Sequence, residues 1–330
     1  MFAVEAIKLA KTFQTRQGSV KAVRSVSFAV SSGEIFGILG PNGAGKSTTI
    51  LMLTTLLRPT NGSASILGLD VDKDDAAVRH KIGVALQENG IDEVLTGKEL
   101  TQSTGQLWGL SKSKASKRSA ELLSLVGLTD AANRRVKTYS GGMKRRLDLA
   151  LSLIHKPEIL FLDEPTTGLD PGSRRVLWNE IVRLRNEGVT IILTTQYLEE
   201  ADTLADRIAI IDNGVVKVEG TPDDLKASIG GDIVMFSFET KETAERAANI
   251  LKNSELIGRE LRTTVENGPQ SIPNLCSVLR DNKIEVVSVS SSRPTLDDVF
   301  LKVTGHKLET VKANENNSIG DPTRASSDGA

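Results

Sequence analysis

Apolar residues recur along this chain with two periods, and the changes of period mark its parts. Up to about residue 70 they alternate with polar residues in short runs, as in Val26-Ser-Phe-Ala-Val30 and Ala64-Ser-Ile-Leu67, which predicts strands. Glu34-Ile-Phe-Gly-Ile-Leu39 predicts a buried strand and Lys46-Ser-Thr-Thr-Ile-Leu-Met-Leu53 the helix that follows it. The mixture points to an antiparallel sheet packed beside a parallel one. From Glu88 to Lys137 the period becomes helical, with Leu100, Leu107, Leu110, Leu122, Leu123 and Leu125 spaced for apolar faces, so a helical insertion is expected over about 88–150. Strand patterns resume at Glu158-Ile-Leu-Phe-Leu162, Val189-Thr-Ile-Ile-Leu193 and Arg207-Ile-Ala-Ile-Ile211, separated by helical ones, the alternation of a parallel sheet. Asn213-Gly214 marks a hairpin, because both residues tolerate positive φ.

After Thr221-Pro222 and a short helix, Gly230-Gly231 opens a second unit. It reads as strand (232–238), helix (242–251), strand (260–265), helix (272–279) and strand (284–290). The expected organisation is an α/β domain over 1–225 and a small α/β accessory domain over 230–305. The stretch from His306 to Ala330 is polar and lacks aromatics, which predicts disorder.

Chemistry enters at Gly40-Pro-Asn-Gly-Ala-Gly-Lys-Ser-Thr48. The stretch fits the phosphate-binding pattern G-x-x-x-x-G-K-S/T, and it lies between a predicted strand and a predicted helix, as that motif requires. Glycines at 40, 43 and 45 let successive amide N–H groups turn inward on phosphate oxygens, assisted by the positive end of the helix dipole. Within the loop formed by Gly40, Pro41, Asn42, Gly43, Ala44, Gly45, Lys46, Ser47 and Thr48, Lys46 is expected to reach the β- and γ-phosphates. The Ser47 hydroxyl is expected to ligate magnesium. With Asp163-Glu164 after an apolar run downstream, the reading is a chain that binds and hydrolyses ATP.

Composition narrows the setting. At 330 residues one large and one small domain fit, whereas two complete ATPase cassettes do not. A formal net charge of −1 gives no whole-chain nucleic-acid footprint. Basic clusters at Lys112–Arg118 and Arg134–Arg146 are solvated faces by default, with a partner surface competing for the second. The single cysteine, Cys276, excludes an intrachain disulfide. No stretch reaches the ~18 consecutive apolar residues of a membrane-spanning helix. The start, Met1-Phe-Ala-Val-Glu-Ala-Ile-Lys8, alternates like a strand and carries no signal-peptide pattern, so a chain retained in the cytoplasm is expected.

Four further stretches complete a pattern: Gln87, Tyr139-Ser-Gly-Gly-Met-Lys-Arg-Arg146, Leu162-Asp-Glu-Pro-Thr-Thr-Gly-Leu-Asp-Pro171 and Thr194-Thr-Gln-Tyr-Leu-Glu-Glu-Ala201. With the phosphate loop, over residues 2–225, they resemble the ATP-binding cassette family. Tyr-Ser-Gly-Gly-Met and Arg293-Pro-Thr-Leu-Asp-Asp-Val-Phe300 look like the daunorubicin-resistance type of drug-exporter ATPase, extending the likeness to about residue 305. The implied fold is an α/β P-loop NTPase, with a RecA-like parallel sheet core, an antiparallel β subdomain and a helical insertion, plus the C-terminal domain.

The resemblance also implies roles. Asp163 holds magnesium, Glu164 orients and deprotonates the attacking water, and Gln87 meets both magnesium and water. Two adjacent acids after Ile-Leu-Phe-Leu are costly to bury without a cation or proton, which disfavours a merely structural pair. Ser140, Gly141 and Gly142 form a second cradle facing the ATP of the other protomer, and Asp170 connects the two sites across a two-fold interface. Phe13 stands where the family often stacks an aromatic on adenine, and a strand-end core aromatic is an equal reading. Gln196 departs from the family's usual histidine, as the drug-exporter branch often does; an amide can donate to the γ-phosphate but cannot take a charge.

The function so implied is the ATP-hydrolysing subunit of an exporter of hydrophobic compounds, using ATP and Mg2+. It is expected as a homodimer, peripheral on the cytoplasmic face of the membrane, with a separate transmembrane permease that handles the cargo and with no nucleic-acid partner. One competing class is a soluble cassette protein that remodels a ribosome, DNA or an iron–sulfur assembly complex; such relatives usually join two cassettes or carry a coiled-coil insertion. An ATP sensor without turnover is the other, and Glu164 argues against it.

Overall fold

The computed structural model describes residues 2–16, 18–87, 90–251 and 254–306. The chain opens with β1 (Phe2–Thr15), β2 (Gly18–Ser31), β3 (Ile35–Leu39), α1 (Lys46–Leu53), β4 (Asn61–Ile66), β5 (Leu69–Asp70), α2 (Asp75–Lys81) and β6 (Ile82–Ala85). Three helices follow, α3 (Gly97–Leu107), α4 (Lys112–Leu125) and α5 (Gly141–Ser152). Then come β7 (Ile159–Asp163), α6 (Pro171–Asn186), β8 (Thr190–Thr195), α7 (Leu198–Leu204), β9 (Arg207–Asp212), β10 (Val215–Gly220) and α8 (Pro222–Ala227).

Ten strands form one sheet in the order β5-β4-β1-β2-β10-β9-β3-β8-β7-β6. Pairing is antiparallel among β5, β4, β1 and β2, and parallel from β9 to β6. The expected separate sheets are therefore joined: β10 runs antiparallel to β9 and meets β2 at Val215–Ser25. The hairpin into β10 turns at Asn213 (φ 51°) and Gly214 (φ 74°) as expected, and a Cβ at Gly214 would lie 2.9 Å from the Arg24 nitrogen.

Two-sided burial explains why the central strands are continuously apolar. Phe36 and Ile38 of β3, Phe161 of β7 and Ile192 of β8 pack with Ile50, Met52 and Leu53 of α1. Their alternate neighbours, Ile35, Leu39, Leu160, Leu162, Ile191 and Leu193, pack with Leu147 of α5, Leu177 and Ile181 of α6 and Ala201 of α7. In the insertion, Leu122 and Leu123 are buried, but Leu107 is 88% exposed, so it is not part of the apolar face expected of it.

The C-terminal unit comprises β11 (Asp232–Ser237), α9 (Lys241–Ile250), β12 (Ser254–Ile257), β13 (Glu260–Val265), α10 (Gly268–Asp281), β14 (Ser288–Ser292) and α11 (Leu296–Thr304). Its sheet is antiparallel in the order β12-β13-β11-β14, over a core that includes Phe236, Phe238, Ala244, Leu261 and Leu279. Two details differ from the sequence reading. An extra strand, β12, precedes β13, and the last strand starts at Ser288, because Ile284 is spent on packing in that core. Moreover, α11 returns to the first body, where Leu296, Val299 and Phe300 join its core beside Leu225 of α8. The disorder expected over 306–330 falls outside the described residues except at His306.

Candidate nucleotide-binding site

Parallel register gathers the candidate residues at one edge of the sheet. Leu39 is opposite Thr195, Asp163 opposite Thr194, and Ala85 opposite Leu162, so β3, β8, β7 and β6 end side by side. The phosphate loop leaves β3 there, Gln196 follows β8, Glu164 follows β7, and Gln87 lies two residues past β6. The carboxyl edge of parallel strands is where open α/β sheets bind ligands.

Backbone geometry makes the loop a cradle. Gly43 and Gly45 take φ of 80° and 103°, and Gly45 leads directly into α1. A Cβ at Gly40 would approach the Ile211 carbonyl oxygen to 2.3 Å, and one at Gly45 the Ala22 oxygen to 2.6 Å, so neither position admits a side chain. No acidic residue occupies the first turn of α1, which keeps its N-terminal field positive.

Lys46, Ser47, Asp163 and Glu164 converge beneath the loop. Lys46 Nζ donates to the carbonyls of Gly40 (2.8 Å) and Pro41 (3.1 Å) and lies 3.2 Å from Glu164 Oε1, with the two side chains 4% and 5% exposed. Asp163 Oδ1 accepts from the Ser47 hydroxyl at 3.1 Å and from the Thr194 hydroxyl at 2.5 Å. Glu164 stands at φ 48°, a conformation that costs a non-glycine residue about 1–3 kcal/mol. It is held there by its amide, which donates to the Thr194 carbonyl (3.1 Å) and hydroxyl (3.0 Å), and by the Thr167 hydroxyl, which donates to Oε2 at 3.2 Å.

Oxygen donors from one serine and one aspartate suit magnesium, which keeps most of its shell for water and substrate phosphates. Among the described residues no group of three or more His, Cys, Asp or Glu forms an all-protein cage.

The other expected residues have different settings. Gln87 is exposed and Gln196 half-buried. Ser140 caps α5 by accepting from the Met143 amide at 3.3 Å, and a Cβ on Gly142 would meet the Ser173 hydroxyl at 3.0 Å, at the start of α6. Asp170 caps α6 through Ser173, and that hydrogen bonding holds its carboxyl below the usual range. Phe13 is 38% exposed and belongs to no buried core, which removes the core-aromatic reading; Lys11 Nζ sits 5.4 Å from its ring.

Comparison with known proteins places this arrangement. The ABC transporter family model matches residues 23–167, and the model described as "ATP-binding protein DrrA1-3-like, C-terminal domain" matches 220–304. The daunorubicin/doxorubicin resistance ATP-binding protein DrrA of Streptomyces peucetius is 44% identical over 321 residues, 95% of this chain and 96% of that protein. The chain belongs to the ABC transporter ATP-binding proteins. The linearmycin resistance ATP-binding protein LnrL of Bacillus subtilis is 36% identical over 306 residues, covering 91% of this chain and 98% of that protein. Among solved structures, the post-hydrolysis dimer of the cassette MJ0796 with ADP and Pi aligns at TM-score 0.62 and 27% identity, over 66% of this chain and 98% of that one. The ATP-binding subunit of an ABC transporter aligns at 0.61 and 28%, over 68% and 92%. Membership makes this chain an ATPase with ATP as its nucleotide.

Three features of this ABC ATPase were not legible as site elements. Thr194 and Thr167 position the acid pair, yet the sequence marks them only as part of longer stretches. Arg145, counted in a basic surface cluster, is buried: it donates to the carbonyls of Leu86 (2.5 Å), Asp163 (2.5 Å) and Pro165 (3.0 Å). Its signal was the helical period, since Arg145 falls four residues before buried Leu149 on α5. A groove of about 330 Å³ lies between insertion and core, lined in part by Leu56, Leu86, Trp108, Asp148 and His155, where His155 stacks on Trp108 at 3.9 Å.

Proposed function

We propose that this chain is the ATP-hydrolysing subunit of an exporter, acting as a homodimer docked on a separate transmembrane permease at the cytoplasmic face. The observation that carries the reading is the split of the phosphate-binding elements. The cradle of residues 40–48 opens α1 and the Ser140–Gly142 cap opens α5, so they are separate elements of one subunit, and a two-fold partner would supply each with its complement. A solved relative is dimeric with ADP and Pi, which supports the same arrangement here.

In this reading the amides of 40–48 and Lys46 bind the ATP phosphates, and Phe13 offers its face to adenine. Ser47, Asp163 and Gln87 would hold Mg2+, which when bound neutralises charge on the β- and γ-phosphates. Glu164 takes the proton of the attacking water, in a position fixed by Thr194 and Thr167. Gln196 donates to the γ-phosphate, and Asp170 links the two sites. A permease segment seated in the groove lined by Leu86 would lie one residue from Gln87, which would couple nucleotide state to membrane-protein state. No helix among the described residues is long and apolar enough to cross a membrane, so in this reading the membrane path belongs to a separate permease. The relatives' names, which refer to resistance to daunorubicin, doxorubicin and linearmycin, support a hydrophobic small-molecule cargo selected by that permease.

The test is affinity capture from detergent-solubilised membranes with tagged Glu164→Gln protein and ATP. Recovery of a polytopic membrane protein is expected. Recovery of ribosomes, nucleic acid or a soluble assembly instead withdraws the transport role and leaves the ATPase chemistry standing.

A further inference from the structure

Arg145 is 8% exposed and begins the second turn of α5, five residues after Ser140. Its three guanidinium nitrogens reach three backbone carbonyls on two separate segments. Leu86, bound at 2.5 Å, immediately precedes Gln87, while Asp163 (2.5 Å) and Pro165 (3.0 Å) flank Glu164 on both sides. On the same helix, the Asp148 carboxylate lies 3.5 Å away.

Burying a guanidinium is costly, and three of its partners here are carbonyls that an apolar side chain would leave unpaired. The grip is also directional. A planar fork fixes three acceptors relative to one another, which a lysine ammonium on a flexible stem does not do. What it fixes is informative: Glu164 sits at φ 48°, a conformation that persists only where its surroundings over-determine it, and Arg145 anchors the residue before and the residue after. The same helix carries Ser140, Gly141 and Gly142 about one turn earlier, at its N-terminus.

We propose that Arg145 is a positioning residue that couples seating of the Ser140–Gly142 cap to the placement of Gln87 and Glu164. This rests on the reading that the cap meets the partner's ATP and that Glu164 is the base. When the cap engages nucleotide, α5 moves as a body, and its fork carries the Leu86 and Asp163–Pro165 backbones into register for water attack. ATP affinity at the phosphate loop is set elsewhere, by residues 40–48, so the effect belongs to turnover and not to binding.

A double-mutant cycle on the full chain tests this, with kcat, KM for ATP and Tm read for Arg145→Lys, Ser140→Ala and the pair. Arg145→Lys keeps charge and most of the volume, so it carries the decision if Arg145→Met does not fold. Each single change is expected to lower kcat roughly tenfold or more with KM within threefold, and the pair to be no worse than the worse single change, because both break one linkage. Three results overturn the coupling: kcat unchanged in Arg145→Lys, multiplicative effects in the pair, or a kcat loss that tracks loss of folded protein. Glu164→Gln run alongside separates the premises, since unchanged turnover there removes the base assignment itself.

Discussion

Gln196 and Asp148 show how single side chains set the pH behaviour of this ATPase. An amide does not titrate, so the kcat profile of the parent chain should lack a step near the imidazole range, about pH 6.5. Gln196→His should introduce one, and Gln196→Ala should lower kcat about tenfold; equal profiles for all three would remove Gln196 from the γ-phosphate. Asp148 bears on stability. Burial pushes its carboxyl up to about 6 against the opposing pull of Arg145. Because the folded pKa exceeds the unfolded one, its stabilising contribution is complete below about pH 4 and is lost as pH rises through about 6. Asp148→Asn should therefore gain on the parent by roughly 2–3 kcal/mol between pH 4 and 7, read by denaturant unfolding at several pH values. At this scale the sequence was legible where chemistry is contiguous, as in Gly40–Thr48 and Asp163-Glu164. It was faint at Arg145, where only the helical period hinted at burial, because a cation solvated by backbone carbonyls distant in sequence otherwise looks like any surface arginine.

Elements were legible in proportion to how strongly burial constrains them. β3, β7 and β8 are buried along their whole length and are built on short apolar runs, 35–39, 159–162 and 191–193. By contrast β12 is a four-residue edge strand bonded to β13 alone, and β14 is Ser-Val-Ser-Ser-Ser, so neither carries a usable alternation. The destination of α11 was hidden for another reason: its amphipathic pattern shows that it packs but not on what. Phe300 is fully buried in the core of the first body, 75 residues or more beyond most of that core's members. Phe300→Ala should cost about 3–5 kcal/mol, and it should destabilise the ATPase body as well as the C-terminal unit. A melting curve in which only the C-terminal unit loosened would show α11 to be an appendage.

For the molecule as a whole, sequence order concealed that the antiparallel and parallel parts form one sheet, since the strand that joins them, β10, comes last in that sheet. Phe13 rides on β1 in one arm, the phosphate loop on β3 in the other, and between them the turn at Gly214 accepts from Arg24 at 2.8 Å while donating to Ala44 at 3.0 Å. On the proposed reading, a nucleotide held at both places would span this junction and work as a clasp across it. Thermal protection should accordingly be larger with ATP than with inorganic triphosphate, and Phe13→Ala should erase the difference, as measured by Tm at saturating ligand. The adenine end of the nucleotide would then serve less to select a base than to lock two halves of a bent sheet into a single rigid lever.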